Sequence, residues 1–336
     1  MNILVAGGFD SEDTAVRERV QAFCVALGKA ISEHGHVLLN GARTQLDDII
    51  ASAMYADLEA RKEPDPDKRV ISYVLAGGEP IHSYGTLLRS ALMDWEIKGE
   101  ALYIPETIQQ AHAIILVHGF EGTLRAANWA RIAKKPLLPF ARFGGAAAKI
   151  YGRELAQFEE KYAGFVERLE YEQLNSLKDD WDEHAADLIA LAEKVAESRS
   201  VLAIMSYSGA SHTEDAFDSF VGVCADLGFR CDRVTQENAG DRILPEIVAR
   251  IERAAFVIVD LTDLRPNAFY ELGYADGMGR KVILTAQEGT QLPFDVKDMP
   301  TIFWSGQRML REELRKRIIT VVKPATASAS PPIGTG

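Results

Sequence analysis

The chain has 336 residues, 47% apolar and 26% charged, a balance that excludes a disordered, collagen-like or disulfide-stapled protein and fits about two domains of roughly 150 residues. Its 37 basic and 49 acidic residues leave a net charge of −12, which disfavours a general electrostatic grip on nucleic acid or an anionic membrane, so an anionic ligand must be held locally. Three cysteines, Cys24, Cys224 and Cys231, without C-x-x-C spacing signal neither a disulfide framework nor zinc, and they point to a reducing compartment.

The opening run MNILVAGGFDSED lacks the basic flank and long apolar core of a secretion signal and reads as a first strand. No apolar run approaches the ~18 residues of a membrane span, so a cytoplasmic protein is expected. From Asn2 to Phe140 the runs NILVAG, HVLLNG, VISYVLAG, AIILVHGF and KPLLPF alternate with helix-period segments, the pattern of parallel strands joined by crossover helices. In the first crossover Val16, Val20, Phe23, Leu27 and Ile31 form one apolar stripe, and Gly35 follows where a helix ends. EPDPDKR at 63–69 reads as a surface loop. After Gly144 and Gly145 charged helices run to about Ser198, with Phe158, Phe165, Leu169, Leu174 and Leu177 expected as buried anchors.

A second series starts at Val201: VLAIMS, a helix near 213–227, FRCDRV, a helix near 242–254, FVIVDL, a helix near 267–278, KVILTA and TIFW. The whole predicts two tandem α/β domains with doubly wound parallel sheets, Rossmann-like or flavodoxin-like, spanning 1–198 and 199–322. The tail 323–336 is small, polar and proline-rich and is expected to be disordered.

In the second domain FVIVD ends a buried strand at Asp260, and a helix opens at Pro266 and Asn267. Ligands of parallel sheets sit beyond the carboxyl ends of strands, facing helix amino termini, and Asp260, Asn267 and Glu271 fall at that edge. Glu271 lies four residues past Asn267, too deep to cap free backbone amides. A solvated glutamate paired with a neighbour such as Arg265 is the plainer explanation, and spacing alone does not decide between that and a ligand role.

The run D-L-T-x-x-x-P-N-x-F-Y-E-L-G-Y-A, followed by G-R-K-V-I-L and L-P-F-D-V, resembles the nucleoside 2-deoxyribosyltransferase-like branch of the TIR-like superfamily over Val201–Trp304, including Ser206, Tyr207 and the segment Cys231, Asp232, Arg233. The resemblance implies cleavage of an N-glycosidic bond, with Glu271, Asp260 and Tyr207 as catalytic residues and Ser206, Asn267, Asp232 and Arg233 around the substrate. The residue types suit that chemistry. Breaking a bond between ribose and a base builds positive charge at the anomeric carbon, which a fixed carboxylate such as Glu271 stabilises or attacks. A second acid, Asp260, would serve a neutral base that needs a proton on leaving. Nicotinamide leaves NAD neutral and needs none.

In the first domain two glycine-bearing turns follow strands, Gly7, Gly8, Phe9 after NILVA and H-G-F-E-G-T-L-R at 118–125, and both are expected at one sheet edge where backbone amides approach a phosphate. Turn geometry alone would also explain these glycines. Neither G-x-G-x-x-G nor a P-loop is present. The element order and the late G-x-x-G-T turn resemble the SLOG superfamily over 1–198, which implies a nucleotide sensor whose ligand meets Gly7, Gly8, Phe9, Arg43, Arg89, Gly119, Gly122, Thr123 and Arg125. LOG enzymes carry an acid soon after the threonine where this chain has Arg125 and Ala126, so binding without hydrolysis is expected there.

The seven histidines, including the pair His34 and His36 around Gly35, show no metal-binding spacing, and no metal site is expected; G-x-S-x-G is absent, and Arg311–Arg317 reads as a solvated helix face. The resemblances together imply a nucleotide-activated N-glycosidase that hydrolyses NAD in bacterial anti-phage defence, acting as a homo-oligomer or filament. Expected partners are a nucleotide signal, such as a cyclic ADP-ribose-type molecule, and NAD as substrate, with no cofactor, nucleic acid or membrane. The alternatives are a nucleoside or deoxynucleotide N-glycosidase or deoxyribosyltransferase, and a non-catalytic nucleotide-binding module that oligomerises. NAD is favoured because an attached regulatory domain suits a toxic effector better than a salvage enzyme.

Overall fold

The computed structural model describes residues 1–9, 14–74, 78–89, 92–97, 100–162, 165–176, 180–206, 210–233 and 243–322. Its contacts divide the chain into two units, Met1–Ala196 and Glu197–Gly336.

In the first unit the chain runs β1 (Asn2–Gly8), α1 (Thr14–Glu33), β2 (Val37–Asn40), α2 (Gln45–Ala60), β3 (Val70–Val74), β4 (Thr86–Arg89), β5 (Leu92–Ile97), β6 (Glu100–Pro105), α3 (Glu106–Gln110), β7 (Ala113–His118), α4 (Glu121–Ile132), β8 (Leu137–Phe140), α5 (Gly145–Ala156), α6 (Phe158–Tyr162), α7 (Arg168–Gln173) and α8 (Trp181–Glu197). Six strands form one parallel sheet in the order β4-β3-β2-β1-β7-β8. Strand side chains alternate between faces, so Ile3 and Val5 join Phe23, Leu27 and Ile31 of α1 in one core, while Leu4 joins Ile114, Leu116 and Ala127 in the other. The first-crossover stripe is buried as expected at Val20, Phe23, Leu27 and Ile31.

Two features depart from the expected pattern. A sixth parallel strand, β4, and an antiparallel pair, β5 with β6, stand where only the five longer runs were read. Of the anchors expected after Gly145, Phe158 and Leu174 are buried, but Phe165 is 38% and Leu169 64% exposed, and Leu177 lies outside the described residues. The cause is helix length. The segment is broken into α5, α6 and α7, the last two of only five and six residues, so no single helical phase carries through it.

The second unit contains β9 (Ser200–Ile204), α9 (Ser211–Asp226), β10 (Arg230–Arg233), α10 (Ile243–Arg253), β11 (Phe256–Asp260), α11 (Pro266–Gly277), β12 (Val282–Gln287), β13 (Thr301–Trp304) and α12 (Gln307–Val322). Its five strands are all parallel, in the order β10-β9-β11-β12-β13. Relative to chain order this is 2-1-3-4-5, the doubly wound flavodoxin-like arrangement. Phe220, Leu310 and Leu314 of α9 and α12 cover one face, and Ile251, Ala268 and Leu272 of α10 and α11 cover the other. The tail at 323–336 lies outside the described residues. Among those described, no helix is long and apolar enough to cross a membrane.

Candidate functional site

In a doubly wound sheet the strand order reverses at one point, and the crevice beyond the strand carboxyl ends there is open to a ligand. The first sheet reverses between β1 and β7, and the second between β9 and β11.

At the first reversal lies a cavity of about 340 Å³. Gly7 and Gly8 from β1, Gly41, Arg43 and Thr44 beyond β2, and Phe120, Gly122 and Thr123 beyond β7 line it, with Tyr73, Ile108 and Trp129 supplying apolar wall. Two glycine turns meet here because β1 and β7 are paired in register to their ends, Gly7 with Val117 and Gly8 with His118. The Gly119 amide then donates to the Gly8 carbonyl at 2.7 Å, and His118 Nδ1 lies 2.8 Å from the same oxygen. Gly119 takes φ +77°, and a Cβ there would collide with Thr123 Oγ1. His118 is itself at φ +49°, a left-handed conformation a β-carbon disfavours, and such strain gathers at ligand sites.

Two helices start at this cavity. The first turn of α2 is closed by a capping box: the Asp47 amide donates to Thr44 Oγ1 at 3.2 Å, and Asp47 Oδ2 accepts from the Thr44 and Arg43 amides at 3.1 and 2.9 Å. Burial pushes the Asp47 carboxyl up, against the lowering effect of those amides. By contrast α4 follows Phe120, which offers no side-chain cap, and Gly122 and Thr123 of its first turn line the cavity. Uncapped amides at a helix start are ready donors to an anion. Thr44→Ala is expected to cost about 1 kcal/mol, read as a lower denaturation midpoint at unchanged slope.

Of the nine residues expected around this ligand, Gly7, Gly8, Arg43, Gly122 and Thr123 line the cavity and the rest do not. Phe9 packs against the core beneath the sheet, and Gly119 shapes the turn. Arg89 is exposed on edge strand β4 and donates to the Gly78 carbonyl at 2.9 Å. Arg125 is exposed and paired with Glu121. Sequence reasoning missed Thr44, Asp47, Tyr73, Phe120 and Trp129. The box T-x-x-D before an apolar run was a legible signal for the first two.

At the second reversal Asp260 ends β11. It is buried, and its carboxylate is fully engaged: Oδ2 accepts from Thr285 Oγ1 at 2.7 Å and Trp304 Nε1 at 3.4 Å, and Oδ1 from the Thr262 amide at 3.1 Å. Burial pushes the Asp260 carboxyl up even so, the hydrogen bonds opposing. Beyond it Leu264 is held at φ +50°, a second strained residue after a strand of the reversal. Then α11 opens with Pro266 at its first position, where proline's missing amide costs nothing. Asn267 and Glu271, four apart, share one face of α11, while Ala268, Leu272 and Ala275 turn to the core.

The Glu271 side chain is half-buried and, among the described residues, makes no hydrogen bond or ion pair; burial pushes its carboxyl up to about 7. The pairing with Arg265 is not formed. Arg265 Nε instead donates to Ser206 Oγ at 3.3 Å, at the end of β9. His212 Nε2 lies 3.1 Å from Asp263 Oδ1. Burial raises the Asp263 carboxyl, but hydrogen bonds from Ser206 and His212, with the charges of His212 and Arg265, outweigh it and hold it low. Ser206 is thus buried in a polar knot that sequence reasoning did not foresee, because its members come from the segment after β9, from α9 and from the β11–α11 loop.

Asp232 and Arg233 are committed elsewhere. Arg230 Nε donates to Asp232 Oδ2 at 2.7 Å, and Arg233 grips Glu214 with two donors at 3.1 and 2.7 Å over the Phe217 ring. Tyr207 lies outside the described residues.

Fold and sites together define a protein of two parallel-sheet α/β units, one with a glycine-lined cavity at its sheet's reversal and one with a half-buried carboxylate, unpaired among the described residues, on the helix that follows β11. No protein-family model matches the chain, and no curated protein matches it. Among solved structures, one described as the X-ray structure of TM1055, a structural-genomics target, is similar at 16% identity over 45% of this chain and 80% of that one, with a TM-score of 0.33.

Proposed function

We propose that the second unit hydrolyses the N-glycosidic bond of NAD, with Glu271 facing the anomeric carbon, and that a nucleotide signal bound in the first unit's cavity turns this activity on. The observation that carries the reading is the Glu271 carboxyl, half-buried, unpartnered among the described residues and pushed to about 7 beside the strand reversal. Partly desolvated and unneutralised, such a carboxylate interacts strongly with positive charge that develops next to it.

The bond between C1′ and the nicotinamide nitrogen breaks, and its electron pair neutralises the pyridinium ring. Water then adds to C1′ and releases a proton, giving nicotinamide and ADP-ribose. The leaving group needs no acid, which fits an Asp260 carboxylate already occupied by Thr285, Trp304 and Thr262. In this reading Asp260 fixes the strand end, and Asn267, exposed on the Glu271 face of α11, meets the ribose.

The first-unit cavity offers the two chemistries a nucleotide needs: amide donors and Arg43 for phosphate, and Tyr73, Ile108 and Trp129 for a flat base. Following the resemblances, the chain would be a cytoplasmic defence effector that works as a homo-oligomer. The test is to incubate the full chain with NAD, alone and with a panel of linear and cyclic nucleotides, and to follow nicotinamide by chromatography. Release stimulated by one nucleotide is expected. No release under any condition, or release of a free base from deoxynucleosides with NAD untouched, overturns the reading. Arg43→Ala is expected to weaken the activating nucleotide roughly ten- to hundredfold, the worth of one charge-assisted contact, measured by calorimetry.

A further inference from the structure

Away from both crevices, the turn between α1 and β2 carries His34 and His36 on either side of Gly35, and α8 presents Glu193 to them. His36 Nε2 lies 2.7 Å and His34 Nδ1 3.2 Å from the same oxygen, Glu193 Oε1, and the three ligand atoms all fall within 4.8 Å of one another. Gly35, at φ +74°, makes the sharp turn that lets two histidines only two apart aim at one point.

We propose that this cluster binds one divalent transition ion, zinc in the first instance, tying the α1–β2 turn to α8. The donor set is right: two imidazole nitrogens and a carboxylate form a three-ligand set that leaves a fourth position for water. So is the spacing. Ligands about 2.1 Å from a tetrahedral ion stand about 3.4 Å apart, so the Glu193 oxygen need withdraw by less than about 1 Å to admit it. The lysine beside Glu193 does not compete, since Lys194 is turned to Glu170 at 2.6 Å. His36 is mostly buried while His34 and Glu193 are about one-third exposed, which gives the ion both an entry path and a partly dry seat.

The inference is independent of the NAD reading. Full-length protein dialysed against excess zinc and then against buffer is expected to retain one ion per chain and to unfold at a higher temperature than the chelator-treated protein. Cobalt(II) in its place should give the visible bands of a four-coordinate nitrogen and oxygen site, with no thiolate charge-transfer band, because all three cysteines are buried. His34→Gln and Glu193→Gln alter partly exposed side chains, and their fold is checked by circular dichroism. Each should weaken zinc by more than the roughly ten- to hundredfold that loss of an outer-shell partner costs, and should erase the thermal shift. No zinc retained by the unaltered chain, or undiminished affinity in either variant, overturns the assignment.

Discussion

Replacing Glu271 by glutamine is expected to remove nicotinamide release from NAD while leaving the second unit folded and, above neutral pH, more stable than the unaltered chain. The amide keeps the size of the side chain and loses only the charge that the transition state needs. A loss of at least about 10²–10³-fold in kcat is expected, the scale of removing one electrostatic stabiliser from a partly dry site. Release undiminished in that variant would sink the assignment.

The stability half of this expectation follows from the same carboxyl. Folded, it gives up its proton at about 7, whereas in an unfolded chain a glutamate does so near about 4.3. Between those values the unfolded chain holds fewer protons than the folded one, so Glu271 makes stability fall as pH rises from about 4.3 to about 7, after which its effect is constant. Solvent reaches the group, so the cost is on the order of 1–2 kcal/mol at alkaline pH. Glutamine has no such cost. A residue kept for its fold would instead lose stability on replacement, so thermal unfolding of the two proteins at about pH 8 separates the roles.

Activity has the opposite slope. Cleavage of NAD needs the anion, so kcat/KM is expected to climb as pH rises through about 7 and then level off. A cationic nicotinamide ring beside the carboxylate favours the anion further and moves the midpoint in kcat below that in kcat/KM. Were Glu271 instead the acid for a neutral base, the rate would fall through the same range.

How far all this was legible in the sequence depends on whether a feature is local. Strands such as Phe256–Asp260, buried on both faces, read as unbroken apolar runs, and the helices between them read by period. Edge strand β4 did not, because Leu87 and Leu88 stand about two-fifths exposed and its four residues carry no alternation. Glu271 and Asn267 were found because one helix turn brings them together. Tyr73 and Trp129 were not, since only the pairing of β3, β2, β1 and β7 carries them to the cavity of Gly7 and Gly8. The His34, His36 and Glu193 cluster escaped for the same reason, its third member coming from a helix about 157 residues further on.

Gly7→Ala is expected to damage the first unit more than any other single methyl added at its cavity. A Cβ at Gly7 would drive into the Val117 carbonyl oxygen on the paired strand β7 and sit 2.8 Å from Leu46 Cδ1 on α2. The oxygen belongs to the backbone of a central strand, so it cannot move without shifting β1 against β7. Overpacking of this kind costs about 2–4 kcal/mol, which for a unit of this size lowers its unfolding temperature by roughly 5–15 °C. The next residue supplies the control. At Gly8 a Cβ would meet only Thr44 Cγ2, at 4.0 Å, an ordinary contact, so Gly8→Ala should stay within about 0.5 kcal/mol of the unaltered chain. Both glycines line the cavity, but they do so for different reasons: Gly7 because two strands must close against each other, Gly8 because space is left over. Gly8→Ala places its methyl beside Thr44 in that space. It should therefore keep the unfolding temperature and lose nucleotide affinity, and equal thermal losses in the two variants would show that close strand pairing is not what requires glycine at position 7.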